Sequence, residues 1–378
     1  MNLNRKKCAV CNNPLNDKSI IRLNKAPNSA QNFLNKKLKN KNKSVDLIIK
    51  QCSGCDLVQT VNKPVKYHKK VIRAVGFSPS MMTYRINQFK NFKDEFKLGG
   101  KKIIEIGCGT GDYLSILSRV FNNAYGLEYS KKKITTSNKK KLKIINNYLD
   151  KNKKINKKYN FDAFFIFSYL EHVPNINTFL NGIKFNLNEN AVGIIEVPNF
   201  DMILKKRLYS EFIIDHLYYF TKKTLIRTLE LNGFEVINVK SIWDDYILSA
   251  TVFKRSPLKL NNTKNYFKEN EKIIKKFINT DNKKNIAVWG AGHQSLTLIS
   301  QTNIVKRIRY IVDSAIFKQN KIAPGLNVNI VSPKIFFDNN LKKVIVIAGG
   351  YTNEICRLIR LKNKKIKILY LKNHKFAQ

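Results

Sequence analysis

Long apolar runs are missing from this 378-residue sequence, and acidic residues are scarce in it. No segment approaches the roughly 20 uncharged apolar residues that a helix needs to cross a bilayer. The first residues carry charges but are not followed by the apolar stretch of a secretory signal. We therefore expect a cytoplasmic protein without membrane insertion. With 43% hydrophobic residues the chain can build more than one core, so we expect two or three domains.

The shortage of acidic side chains leaves a formal net charge of +44, from 70 Lys and Arg against 26 Asp and Glu. The lysines are spread along the whole chain and mixed with asparagine and isoleucine, as expected of an A/T-rich coding sequence. No recognisable nucleic-acid-binding motif accompanies them. A solvated basic surface is therefore favoured over a nucleic-acid-binding one. Such a positive field still attracts anionic substrates, including nucleotide-linked ones.

Cysteines are few, and four of the six form two Cys-x-x-Cys pairs. The first pair is Cys8 and Cys11, and the second is Cys52 and Cys55. In a reducing compartment such pairs indicate metal ligands rather than disulfides. Four thiolates suit tetrahedral Zn²⁺ and leave no open coordination position, so we expect a structural zinc, with redox chemistry as the weaker alternative.

After the second cysteine pair, apolar segments of strand length alternate with segments of helical pattern. This alternation predicts a doubly wound α/β region. Its strands are expected at residues 102–106, 124–128, 163–167, 192–197 and 234–243. A polar stretch separates this region from a second run of the same kind. The second run has strands expected at residues 285–289, 310–312 and 344–348. The sequence therefore predicts two Rossmann-like domains.

A glycine-rich turn joins the first of these strands to the helix that follows it. The turn contains Glu105, Gly107, Gly109 and Gly111. Glycines let the backbone approach a ligand without Cβ clashes, and in the methyltransferase variant of this turn they face the methionine and ribose of S-adenosylmethionine. Glu105 is expected to anchor the ammonium side. The spelling E-x-G-x-G-x-G at the end of a strand favours S-adenosylmethionine over a dinucleotide.

A carboxylate stands about 20 residues further on, where the next expected strand ends at Glu128. At that edge of a parallel sheet it can accept both ribose hydroxyls of a nucleoside. Tyr129 and Asp150 are candidates to flank the adenine ring, and a surface position is the alternative for each.

Two histidines are candidates for chemistry. His172 follows the strand expected at 163–167, in a loop that commonly faces the substrate, and a structural histidine is the alternative. Asp215 and His216 come just before an expected helix. One interpretation is a general base oriented by a carboxylate, and the other is an ordinary helix-start cluster without chemistry.

Together, the cysteine pairs, the glycine-rich turn and several C-terminal segments make this chain resemble the three-domain deoxysugar C-methyltransferases. The C-terminal segments are Trp289-Gly-Ala-Gly292, Asp313, Lys321-Ile-Ala-Pro324-Gly325, Val331-Ser-Pro333 and Asn353-Glu354-Ile355. The resemblance implies a zinc-binding domain at 1–65, a class I S-adenosylmethionine-dependent methyltransferase domain at 66–255 and a Rossmann-like domain at 256–378. It also implies methylation at carbon of a nucleotide-linked keto-deoxysugar, for a polysaccharide or a glycosylated metabolite.

The resemblance implies a mechanism as well. An imidazole removes the proton alpha to a sugar ketone, and the resulting enolate carbon takes the methyl group. His216 occupies the position of that base, and His172 matches the other active-site histidine. An upstream active-site tyrosine falls near Phe77 or Tyr84.

This chain departs from the family pattern at one point. The family writes Tyr-x-Glu-His, whereas this sequence has Ile213-Ile214-Asp215-His216, so the phenol is absent and the acid is shorter. Two alternatives to sugar C-methylation therefore stay open. One is O-methylation of a sugar or another small molecule, and the other is a catalytically impaired binding protein of the same fold.

Overall fold

The structure is a computed structural model, and it describes residues 5–31, 33, 44–67, 78–130, 141–260, 262–278, 284–373 and 375–378. The chain forms two compact units, Met1–Pro257 and Leu258–Gln378. The border expected between residues 65 and 66 lies inside the first unit. None of the helices in the described part of the chain has the length and apolar composition needed to span a bilayer.

A small antiparallel sheet carries the cysteine pairs in the first unit. Its strands are β1 (Ile21–Ala26), β2 (Val45–Gln51), β3 (Val58–Thr60) and β9 (Tyr218–Tyr219), in that order. Strand β2 buries Leu47 and Ile49, which lie on one face because side chains alternate along a strand. Since β9 comes from far along the chain, the three N-terminal strands β1, β2 and β3 are joined directly to the segment that follows His216.

The main sheet of the first unit is a mixed seven-stranded sheet within the described residues. Its strands are β4 (Ile103–Ile106), β5 (Ala124–Glu128), β6 (Ile144–Asn146), β7 (Phe161–Phe167), β8 (Leu187–Pro198), β10 (Phe234–Ile242) and β11 (Ile247–Lys254). The order is β10-β11-β8-β7-β4-β5-β6, with β11 antiparallel to both neighbours. Strands β4 and β7 are buried on both faces, which explains their continuous apolar sequences.

The sequence located five of these strands and missed two. Strand β6 is short and only partly buried, so it has little apolar signal. Strand β11 follows a tight turn at residues 243–245, where all three residues have positive φ. It inserts between β8 and β10. Strand β10, which was expected to complete the sheet, therefore pairs with β11.

Five helices flank the two sheets in the described part of the first unit. They are α1 (Pro79–Glu95), α2 (Asp112–Val120), α3 (Ile176–Phe185), α4 (Phe200–Lys206) and α5 (Lys222–Leu231). Helix α1 begins where Ser78 caps the Met81 N–H and Pro79 takes the first helical position. Its Phe89 and Phe92 pack edge-on against Phe165 of β7, which fixes α1 over the sheet beside the glycine-rich turn.

The second unit repeats the α/β plan. Its strands are β12 (Ile286–Trp289), β13 (Ile308–Val312), β14 (Lys321–Ile322), β15 (Asn329–Val331), β16 (Lys343–Val346), β17 (Lys367–Lys372) and β18 (Lys375–Ala377). The described helices are α6 (Thr263–Ile278), α7 (His293–Gln301), α8 (Pro333–Asp338) and α9 (Thr352–Lys362). Strand β12 lies between β13 and β16 and is parallel to both, so its glycine turn opens at the switch point where such sheets bind ligands.

Candidate active site

The four cysteines of the two pairs come together beside β2 and β3. The Sγ atoms of Cys8 and Cys55 are 3.6 Å apart, and those of Cys11 and Cys52 are 3.4 Å apart. All four sulfur atoms lie within 4.8 Å of one another. A tetrahedron with Zn–S bonds of about 2.3 Å has sulfur–sulfur edges of about 3.8 Å. The cluster is therefore compatible with one metal ion.

Backbone N–H groups point at these sulfur atoms. Val10 donates to Cys8 Sγ at 3.4 Å, and Gly54 donates to Cys52 Sγ at 3.3 Å. Such bonds stabilise thiolates and are made by the tight turn of a Cys-x-x-Cys pair. The donor set, four sulfurs with hydrogen-bonded turns, is the chemistry of a closed structural site.

The glycine-rich turn after β4 has the backbone that its sequence requires. Gly107, Gly109 and Gly111 have φ angles of 74°, 57° and 81°, in the left-handed region that other residues seldom adopt. A Cβ on Gly107 would lie 2.9 Å from Cγ of Tyr169, whose ring packs directly on the turn. Glu105 is buried in β4, and its contact with the ammonium side of a cofactor stays a prediction.

Glu128 ties the end of β5 to this turn. One carboxylate oxygen accepts the N–H of Gly109 at 3.0 Å, and the other accepts the N–H of Ser130 at 2.8 Å. The acid and the turn therefore share one edge of the sheet, where ribose hydroxyls can exchange for these backbone donors. This geometry fits the S-adenosylmethionine site that the spacing of the two motifs predicts.

A narrow cavity adjoins Glu128, and Tyr129 lies on its lining. Asn147, Tyr148 and Leu149 complete this wall, and the Tyr129 and Tyr148 rings meet edge to face at 5.9 Å. The sequence missed these residues because the short strand that precedes them was missed. Asp150, proposed for adenine binding, is exposed and does not line the cavity.

The two candidate histidines are brought together from segments 44 residues apart. His172 ends the short turn after β7, His216 precedes β9, and their rings meet edge to face with centroids 4.9 Å apart. Burial lowers the pKa of His172 to about 4. Burial, with the adjacent His172, lowers the pKa of His216 well below its ordinary value. Both imidazoles are therefore neutral near pH 7, as a proton acceptor must be.

Asp215 lies beside this pair but does not hold His216 in the expected way. Its carboxylate accepts the Tyr67 hydroxyl at 2.7 and 2.9 Å and the N–H of Ala30 at 2.8 Å. Within the described residues, no hydrogen bond joins this carboxylate to the His216 ring. Instead, the Asp215 backbone carbonyl lies 2.9 Å from Nδ1 of His172. Since a carbonyl only accepts, Nδ1 carries the proton, and Asp215 orients His172.

Tyr67 is a phenol that the sequence did not indicate. It follows β3 in the chain and lies 148 residues before the acid that it binds. Its hydroxyl also contacts Ser29 Oγ at 2.8 Å. Burial and the adjacent Asp215 raise its pKa. No local pattern marks this residue, because its partner is distant in sequence.

The resemblance implies a tyrosine at position 213 and another near Phe77 or Tyr84. At the missing family tyrosine, the backbone N–H and carbonyl of Ile213 both bond the Tyr219 hydroxyl, each at 3.1 Å. Tyr84 packs against Trp243 with ring centroids 6.1 Å apart. Phe77 lies outside the described residues.

A third titratable group stands beside the histidines. Glu171 is 1% exposed, and its Oε1 lies 3.9 Å from Nε2 of His172. Burial raises the pKa of this carboxyl to about 8. The acid, His172 and His216 thus form one desolvated cluster in which protonation of any member affects the others.

The second unit has a cavity at the glycine turn after β12. Asp313, at the end of the adjacent strand β13, accepts the N–H of Ala291 in that turn at 2.8 Å. It also binds Lys318 at 3.0 Å. The arrangement repeats the bond between Glu128 and Gly109, so each unit has a strand-end acid joined to a glycine turn.

Comparison with known proteins agrees with this geometry. A family model described as a methyltransferase domain matches residues 73–239. A second model, described as a C-methyltransferase C-terminal domain, matches residues 261–367. The first model falls within the first compact unit, and the second model falls within the second.

The C-methyltransferase NovU of Streptomyces niveus is 22% identical over 213 residues, which are 49% of this chain and 50% of NovU. The chain thus matches about half the length of this curated relative. Among solved structures, an S-adenosylmethionine-dependent methyltransferase from Clostridium acetobutylicum has 13% identity and a TM-score of 0.39, covering 50% of this chain and 96% of that one. The plantazolicin methyltransferase BpumL, in complex with a monoazolic desmethylPZN analog and SAH, has 16% identity and a TM-score of 0.38, covering 47% of this chain and 86% of that one.

The strand order of the main sheet, with its single antiparallel strand β11 next to β8, is that of the class I methyltransferases. The glycine turn and Glu128 are hydrogen-bonded to each other at the carboxyl edge of that sheet. Both family models describe methyltransferase domains, and the first unit of this chain has the class I Rossmann-like fold of S-adenosylmethionine-dependent methyltransferases.

Proposed function

We propose that this enzyme transfers a methyl group from S-adenosylmethionine to a carbon of a nucleotide-linked keto-deoxysugar, with His216 as the general base. The observation that supports it most directly is the contact of two neutral imidazoles, His172 and His216, next to the loop that follows β7. In parallel sheets of this kind, that loop lies beside the cofactor turn.

The chain's own groups suit proton abstraction from a carbon next to a ketone. When bound, S-adenosylmethionine supplies an electrophilic methyl group. His216 accepts the substrate's alpha proton, and the electron pair of that C–H bond moves towards the ketone oxygen. The N–H of neutral His172 is engaged with Asp215, so its ring is held in one orientation. Tyr67 and Asp215 provide a phenol and an acid that are hydrogen-bonded to each other, and Asp215 precedes His216 in the chain.

The second unit supports a nucleotide-bearing substrate. Its cavity is lined by Gly290, Gly292 and Asp313, a glycine turn with a strand-end acid of the type that binds nucleosides. The relative named NovU is a C-methyltransferase, and the C-terminal domain match carries the same description. A cytoplasmic location and a structural zinc at the four cysteines complete the proposal.

O-methylation is the second candidate. Ile213 favours it, because the chain lacks a phenol at the position where the family has one. A hydroxyl substrate needs a base but no stabilised enolate, and His216 could serve either reaction.

Product analysis separates these reactions. We expect incubation with ¹³C-methyl-labelled S-adenosylmethionine and a thymidine-diphosphate-linked 4-keto-deoxysugar to yield a product whose new methyl carbon resonates as a C-methyl group. The same sugar reduced at the ketone should not react, because its alpha proton is no longer acidic. An O-methyl resonance would establish the second candidate, and methylation of the reduced sugar would refute the enolate route.

The pH dependence follows from the histidine environment. A base acts in its neutral form, and burial lowers the pKa values of both His172 and His216. We therefore expect kcat/KM to stay constant as the pH falls through 6.5, about the ordinary histidine pKa, and to decline only at lower pH. Initial rates in overlapping buffers measure the pH at which kcat/KM begins to fall. An acidic limb at or above pH 6.5 would contradict a desolvated histidine base.

A further inference from the structure

We propose that Arg5 is a positioning residue that clamps the two histidine-bearing segments together and couples them to the four-cysteine cluster. The segments are residues 170–174, which contain His172, and residues 215–219, which contain His216. This inference rests on the proposed role of His216. It adds the group that keeps the two imidazoles aligned.

The Arg5 guanidinium binds both segments at once. Nη2 donates to the Pro174 carbonyl at 3.0 Å, and Nη1 donates to the Tyr218 hydroxyl at 3.3 Å. The Tyr218 hydroxyl donates in turn to the same Pro174 carbonyl at 2.9 Å, and the guanidinium lies 5.5 Å from the Tyr218 ring centroid. Pro174 is two residues after His172, and Tyr218 is two residues after His216. The three groups therefore close a triangle that sets the separation of the two segments.

Gln59 connects this triangle to the cysteine cluster. Its side chain is fully buried, and its Nε2 donates to Cys8 Sγ at 3.3 Å. Its Oε1 accepts the N–H of Ala9 at 3.1 Å and Nη1 of Arg5 at 3.5 Å. A continuous set of hydrogen bonds thus runs from a metal-ligand sulfur to the clamp. The state of the cysteine cluster can therefore change the position of Arg5.

The backbone keeps the segments attached even without the clamp. The N–H of Leu217 donates to the Glu171 carbonyl at 2.8 Å, and the N–H of Thr60 donates to the Leu217 carbonyl at 3.1 Å. Strand β3, which contains Gln59, also pairs with β9. Loss of the Arg5 side chain should therefore loosen the alignment of the imidazoles and leave the fold in place.

An arginine suits this position because its planar fork presents donors to two acceptors at a fixed angle. A lysine ammonium has the same charge but lacks the rigid fork, so Arg5→Lys should not restore the alignment. A small guanidinium ion bound in the space left by Arg5→Ala should restore it in part. This difference separates geometric positioning from a general effect of charge.

The test uses the full chain, purified with its metal and saturated with S-adenosylhomocysteine. In protein labelled with ¹⁵N at histidine, we expect His172 to show one neutral tautomer, protonated at Nδ1, as its bond to the Asp215 carbonyl requires. Arg5→Ala should give mixed or broadened His172 and His216 signals, with metal content unchanged, and millimolar guanidinium should sharpen them. The matched control is Arg22→Ala, which breaks an exposed ion pair with Asp46 in the same small sheet.

Unchanged histidine signals in Arg5→Ala would overturn the proposal. If Arg5→Ala loses its metal or its fold, Tyr218→Phe decides, because it keeps the ring and removes only the hydroxyl. We expect the Phe variant to alter the same signals, and unaltered signals would overturn the clamp. With an active substrate, kcat should fall about 10- to 100-fold in either variant at an unchanged KM for S-adenosylmethionine. The spectra need no turnover, so inactivity towards nucleotide sugars would refute the proposed function without affecting this test.

Discussion

Replacement of His216 with alanine or asparagine is expected to lower kcat by about 10²- to 10⁴-fold, the usual contribution of a positioned general base. The Asn variant keeps a polar side chain but cannot accept a proton at neutral pH. Binding of S-adenosylmethionine should change little, since the glycine turn and Glu128 contact each other and not His216. Calorimetry measures the binding, and single-turnover methyl transfer measures the chemical step.

Two controls make this result interpretable. His172→Asn removes the ring that packs on His216 but leaves His216 itself, so it should retain more activity than His216→Asn. Asp215→Asn keeps the backbone carbonyl that orients His172 and weakens the contacts of the side chain with Tyr67 and Ala30. Turnover by His216→Ala within tenfold of the wild type would exclude His216 as the base.

Loss of one cysteine ligand is expected to have the largest effect on stability. Structural Zn²⁺ contributes about 10–16 kcal/mol of apparent binding free energy in small zinc domains, which matches or exceeds the whole stability of an ordinary domain. We expect Cys52→Ser to lose the bound metal and to unfold the small sheet that contains β9. Metal content by elemental analysis and thermal unfolding by circular dichroism measure both effects.

Cys356→Ser is the matched control for that experiment. Cys356 is a buried thiol in the second unit, outside the metal-ligand cluster, so its replacement should leave the metal content at the wild-type value. One metal ion retained by Cys52→Ser, or a wild-type chain purified without any metal, would contradict a four-thiolate site.

Much of the cofactor edge could be predicted because its constraints are local. Positive φ at Gly107 and Gly109 favours glycine, so the sequence indicates the backbone conformation of this turn. The strand before the turn is a continuous apolar run because it is buried on both faces. Strand β11 was missed, because the expected strand ended at residue 243 and β11 begins only after the tight turn at residues 243–245.

The cluster around the two histidines was harder to predict because its contacts are long-range. Asp215 and His216 are neighbours in sequence, which suggested an acid orienting a base. In the structure their side chains have different partners, since the Asp215 carboxylate binds Tyr67. A phenol is therefore present near Asp215. It comes from Tyr67 and not from position 213.

The amino-acid sequence alone determined the glycine turn, the strand-end acid at Glu128 and the two cysteine pairs, because each depends on residue type at a short fixed spacing. Only the tertiary structure decided which groups surround the two imidazoles. Tyr67 binds the Asp215 carboxylate, and Arg5 binds Pro174 and Tyr218, next to the two imidazoles. These residues come from the N-terminal part of the chain, which is brought close because β3 pairs with β9. That pairing depends on hydrogen bonds between distant backbone segments, which leave no periodic pattern in either segment.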